Sequence, residues 1–121
     1  MGLGIKERFK KFRDRLVIDQ VAKAKLPVFD ADEVVRVRIV FSGRVQKVGF
    51  RLEVSELAKR LGITGCCENL DNGDVLAELQ GQKNRIEFLV EFMHSLKRMK
   101  ITRMDWEVLP VVDGETAFVT G

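Results

Sequence analysis

Val35-Arg36-Val37-Arg38-Ile39-Val40-Phe41 repeats with a period of two. Val35, Val37, Ile39 and Phe41 share one side, so the stretch predicts a strand with one buried face. Beyond the next loop the period becomes helical. Phe50, Val54, Leu57, Ala58 and Leu61 form a helical stripe, and Gly62 stands where a helix C-terminal cap belongs. Between strand and helix lies Ser42-Gly43-Arg44-Val45-Gln46-Lys47-Val48-Gly49-Phe50-Arg51.

Downstream, Ile63 to Leu70 and Val75 to Gln80 read as strands joined by Asp71-Asn72-Gly73. Asn-Gly is a strong hairpin-turn signal. Ile86, Leu89, Val90, Met93 and Leu96 form a second helical stripe. Asn84 and Glu87 are spaced as a capping pair at its start. Met104, Trp106 and Val108 alternate as a fourth strand, and Ala117 to Thr120 can add a short fifth. The order strand, helix, strand, strand, helix, strand predicts an α+β, ferredoxin-like βαββαβ sandwich. Its antiparallel sheet carries two helices on one face.

Upstream, Ile5, Phe9, Phe12 and Leu16 mark an amphipathic helix. Pro27 and the acids Asp30, Asp32 and Glu33 read as a linker. The chain thus divides into a basic helical extension with acidic linker, 1–33, and a compact domain, 34–121. The helix is short and highly charged, so alone in water it would fray. It is expected to be mobile or weakly docked and dispensable for activity. Docking over the open sheet face is the rival placement.

Composition narrows the classes. The 121 residues are 45% hydrophobic and 32% charged, the balance of a globular domain rather than a disordered tail. No apolar run approaches the ~20 residues of a membrane span. Leu16-Val17-Ile18 is too short for a secretory apolar block, and the first serine is Ser42, against a transit peptide. Met1-Gly2 hints at myristoylation, but Lys6 stands where Ser or Thr is wanted. Cys66 and Cys67 are adjacent strand positions pointing to opposite faces, so they do not bridge easily. His94 is the only histidine, against a structural zinc or a histidine triad. These features place the protein in a reducing cytoplasm.

The net charge of +3 is uneven. Residues 1–26 carry eight cations against three acids, whereas 34–121 carry 13 against 12. A nucleic-acid surface needs a basic stripe on the folded body, so nucleic acid is not the expected partner. Weak attachment to a membrane surface through residues 5–25 is an alternative use of the basic end. A monomer is expected.

The loop carries the chemistry. Residues 43–51 hold three cations and no acid. A tight loop running into a helix N-terminus aims several N–H groups at one point, a nest for an oxyanion or phosphate. Arg51 can add a bidentate guanidinium. Without Gly-Lys-Ser/Thr it is not a Walker loop. An ordinary turn with solvated cations remains the plain alternative.

Gly43 to Arg51 resembles the signature loop of the acylphosphatase family. Gly65-Cys66-Cys67-Glu68-Asn69-Leu70-Asp71-Asn72-Gly73-Asp74-Val75 resembles its second signature. The resemblance covers Val34 to the C-terminus. It implies hydrolysis of acyl phosphates to a carboxylate and inorganic phosphate, with no metal and no organic cofactor. It implies that Arg51 binds the phosphoryl group, with loop N–H groups of Gln46, Lys47, Val48, Gly49, Phe50 and Arg51. It also implies that Asn69 positions the attacking water. Lys47 departs from the pattern, since the family usually has glycine there. If that position needs positive φ, lysine costs on the order of 1 kcal/mol or more. A non-catalytic anion-binding or regulatory module is the alternative this departure raises.

Overall fold

The computed structural model describes residues 4–121; the Met1-Gly2 reading lies outside the described residues. The elements are α1 (Ile5–Lys23), β1 (Val34–Arg44), α2 (Phe50–Leu61), β2 (Thr64–Asn69), β3 (Val75–Gln82), α3 (Lys83–Ser95), β4 (Lys100–Leu109) and β5 (Phe118–Thr120). The sheet order is β4-β1-β3-β2-β5. The first four strands pair antiparallel, as the ferredoxin-like order demands. β5 adds itself parallel to β2, so the five-stranded sheet is mixed at one edge.

Periodicity explains the packing. Val37, Ile39 and Phe41 of β1 are buried, with Ala77 and Leu79 of β3 and Cys67 of β2. They share one core with Val54, Leu57, Ala58 and Leu61 of α2 and with Ile86, Leu89, Val90 and Met93 of α3. Helix α2 ends at Gly62, whose φ of 70° is the left-handed cap geometry. Burial is partial at Met104, and Trp106 and Val108 are exposed, so β4 is a lightly covered edge.

Arg36 lies on a strand position where solvent was expected, yet it is buried. Segment 110–117 and the neighbouring strand β3 supply partners there: Arg36 Nη1 donates to Glu115 Oε1 at 3.0 Å and to Gln80 Oε1 at 3.2 Å. The bond to Glu115 raises the Arg36 pKa against the cost of burial. Desolvation pushes Glu115 up, but Thr64 and Arg36 outweigh it and hold this carboxyl below its ordinary range.

The beginning of α3 differs from the capping pair expected at Asn84 and Glu87. The helix starts at Lys83, so Asn84 already lies inside its first turn. The cap comes from the acidic linker. Asp32 Oδ2 accepts from the Asn84 N–H at 2.9 Å, and the Glu33 carbonyl accepts from the Lys83 N–H at 2.9 Å. Phe29 stacks edge-on against Phe88, centroids 5.6 Å apart, under the Arg85 guanidinium. A carboxylate at a helix N-terminus also complements the helix dipole. The linker is therefore a docked strap.

Helix α1 differs likewise from a mobile extension. It packs against α2, away from the open sheet face, with Val17 and Val21 buried in the main core. The guanidinium of Arg60 donates to the carbonyls of Val21 and Ala24, at 2.5 and 2.6 Å, and so ties down the C-terminal end of α1. The docked face is not the apolar stripe read from spacing: Ile5, Phe9, Phe12 and Leu16 are all exposed. Slim β-branched side chains meet α2 because the contact is close at Gly49. A Cβ there would sit 3.2 Å from Val17 Cγ2. Val17→Ser should lower unfolding stability by about 1.5–3 kcal/mol, the value of a buried valine. A urea midpoint equal to wild type would mean that α1 is not part of the core.

Candidate active site

The loop leaves β1 through a bulge. The β1–β4 register shifts between Ser42 and Gly43. Gly43 has φ of 118°, and a Cβ there would meet the Lys100 carbonyl at 2.1 Å. Phe41 before the loop and Phe50 after it stack with centroids 5.0 Å apart. Both ends of the loop are thus anchored in the core, and Val45 is buried between them.

One side chain of the loop and two from distant elements clasp it in place. Gln46 turns away from the cleft and donates to the carbonyls of Leu70 and Asp74, at 2.7 and 2.8 Å. These flank the β2–β3 turn, so Gln46 ties the loop to the strand end bearing Asn69. Arg13 of α1 donates to the Lys47 carbonyl at 3.0 Å. Arg98, after α3, donates through Nε to the Val48 carbonyl at 2.7 Å. In a planar trans peptide the N–H points opposite to the carbonyl. The two arginines therefore fix the N–H groups of Val48 and Gly49 to point away from themselves. Helix α2 then begins at a left-handed Gly49, φ 82°, with no side-chain cap. Its first N–H groups have no intrahelical partner. The loop and helix start together form an array of donors.

Arg98 has a second bond, from Nη2 to Glu53 Oε1 at 2.7 Å. Glu53 is fully buried in the first turn of α2. Burial raises its pKa and Arg98 opposes that shift. The pair bolts α2 to the turn that holds Val48, and it was not recognised from sequence. Half of it was visible: Glu53 lies on the inner face, beside Val54 and one turn after Phe50. An acid there requires a cation. Arg98 is 45 residues away, with nothing local to indicate it. Arg13 was missed for the same reason.

A cleft of about 1000 Å³ opens over the loop, lined by Lys47, Gly49, Phe50, Arg51, Asn69 and Thr120 among others. The structure thus brings Arg51 and Asn69 together with part of the loop. Of the other expected residues, Gln46 faces the hairpin and the Val48 side chain packs on the core. Arg51 lies in the first turn of α2 and donates to the Gly121 carbonyl. A guanidinium has five N–H donors, so others remain for a ligand. Asn69 ends β2, paired with Val75. Cys67, beneath, is buried, and its thiol is pushed up to about 12 by desolvation. His94 is exposed and its Nε2 lies 3.3 Å from Met104 Sδ.

Lys47 has φ of 63°, the one positive value at a non-glycine residue among the described residues. The family's glycine is explained by that geometry. Lys47→Gly should raise stability by about 1 kcal/mol and keep or raise turnover. Loss of phosphate affinity in this variant would make Lys47 a ligand.

The arrangement is a ferredoxin-like domain with a clasped loop leading into the N-terminus of α2, and comparison with known proteins narrows it. The sequence model of the acylphosphatase family matches residues 37–120. The chain is 40% identical over 85 residues to an acylphosphatase of Clostridium beijerinckii, covering 69% of this chain and 94% of that one. The crystal structure of acylphosphatase from Bacillus subtilis superposes with a TM-score of 0.67 and 28% identity, covering 74% of this chain and 99% of that one. An acylphosphatase structure from Coxiella burnetii gives 0.65 and 29%, covering 73% and 93%. The chain belongs to the acylphosphatase family. Helix α1 and the strap lie before the matched residues.

Proposed function

We propose that the chain hydrolyses acyl phosphates with the phosphoryl group held in the 43–51 loop. The observation that carries this is the clasped loop: Arg13 and Arg98 hold its carbonyls, and Arg51 and Asn69 share its cleft. Loop N–H groups from Gln46 to Arg51 and the Arg51 guanidinium bind the phosphate oxygens. Asn69 holds the water, since an amide both donates and accepts but is a poor base. The water oxygen bonds to phosphorus, and the bond from phosphorus to the acyl oxygen breaks. Its electron pair leaves on the carboxylate. The water's proton passes to a phosphate oxygen, giving inorganic phosphate. A carboxylate leaves easily, so the work is positioning and electrostatics.

Residues 34–121 carry the reacting groups, and the described residues before them add Arg13 of the clasp and the strap. The protein acts as a cytoplasmic monomer on a small molecule, without nucleic acid. Two free adjacent cysteines support a reducing compartment, and no described helix is long and apolar enough to cross a membrane. Hydrolysis of acetyl phosphate tests the reading. Turnover should persist in excess chelator, because water is aligned by protein groups alone. Strict dependence on magnesium or zinc would require a metal-activated nucleophile instead. Phosphate binding without turnover would return the protein to the anion-binding module.

A further inference from the structure

A contiguous apolar stripe on α1 borders the proposed site and has no role in docking the helix. Ile5, Phe9, Phe12 and Leu16 are 71, 68, 62 and 52% exposed. Val17 and Val21 do the docking. An exposed stripe of this kind marks a surface that meets something apolar.

Its position says what. Phe9, Phe12 and Leu16 line the same cleft as Lys47, Arg51 and Asn69. Phe9 and Phe12 also line an adjoining hollow of about 520 Å³ with Ile5 and Arg8. The bond from Arg13 to the Lys47 carbonyl fixes the middle of α1 at the loop. From Leu16 to Ile5 the helix rises about 16 Å. Lys6 and Lys10 line the cleft too. Their alkyl stems can lie along a chain while the ammonium groups stay in water.

A phosphate seated in the loop must direct its acyl group out through this cleft. We infer that α1 is an acyl-chain wall, and that the enzyme's substrates are acyl phosphates with medium or long alkyl chains. The inference rests on the loop being the phosphate site. A lipid surface is the rival occupant. It would meet the stripe from outside, and would not require three of its four side chains to line the catalytic cleft.

The test uses the full chain with acetyl phosphate and octanoyl phosphate, the latter below its aggregation threshold. Each methylene withdrawn from water is worth up to roughly fourfold in binding, so partial contact should make octanoyl phosphate at least about tenfold better in kcat/KM. In the double variant F9S/F12S that advantage should fall to within about twofold, with acetyl phosphate hydrolysis unchanged. Both side chains are exposed, so the fold should survive; circular dichroism checks it. Equal efficiency for the two substrates in wild type, or an advantage retained in the double variant, overturns the inference. So does an octanoyl advantage that emerges only with anionic phospholipid vesicles. If neither substrate is hydrolysed, the proposed activity fails, and decyl phosphate still decides the wall. Calorimetric binding at least about tenfold tighter than inorganic phosphate, lost in F9S/F12S, supports it. Equal affinities overturn it.

Discussion

Arg51→Gln should lower kcat/KM for acetyl phosphate by at least about 10²-fold, the scale of losing one preorganised donor to the transition state. The guanidinium stands in the first turn of α2, at the end of the clasped loop. Glutamine keeps a donor but loses the fixed charge and the planar fork. The fold should persist, because Arg51 is only half-buried and its partner is the terminal Gly121 carbonyl. A thermal melt separates the two effects: an intact melt with collapsed turnover supports the assignment. Near wild-type turnover would remove Arg51 from the site.

Asn69→Ala should affect kcat more than phosphate affinity. Asn69 is assigned to the water, so its loss removes alignment in the transition state and little ground-state binding. Inorganic phosphate should remain a competitive inhibitor of the variant, with an inhibition constant within about threefold of wild type. The two variants therefore differ in kind, since Arg51→Gln weakens phosphate and Asn69→Ala does not. If inhibition disappears in step with turnover, Asn69 is a phosphate ligand or a turn residue.

Much of the architecture was legible because periodicity records burial. β1, α2 and the inner face of α3 could be read from alternation and from helical stripes. Gly62 marked the end of α2, and the Asn72-Gly73 turn marked the joint between β2 and β3. Arg51 and Asn69 came from two signatures, and the fold places both on one cleft. Lys47 was legible as an exception, and its φ of 63° gives the reason.

What was not legible depends on partners distant in sequence. The clasp joins Arg13 to Lys47 across 34 residues and Arg98 to Val48 across 50. The cap on α3 comes from Asp32, 52 residues before Asn84. No local pattern contains such pairs. Helix α1 shows the limit of reading a buried face from spacing. Its apolar stripe is real, but an amphipathic pattern cannot say which face finds a partner. The approach to Gly49 selected the slimmer Val17 and left the phenylalanines exposed. That same choice sets the apolar stripe along the cleft, so α1 is more than an ornament on the domain.

Hydrolysis of acetyl phosphate in ¹⁸O-labelled water decides where the attack falls. In the proposed mechanism water attacks phosphorus held by the loop, and the carboxylate leaves. The label should therefore appear in inorganic phosphate, and the acetate should contain none beyond the uncatalysed background. Label found in the acetate would place the attack on the acyl carbon and contradict the assigned roles of the loop, Arg51 and Asn69.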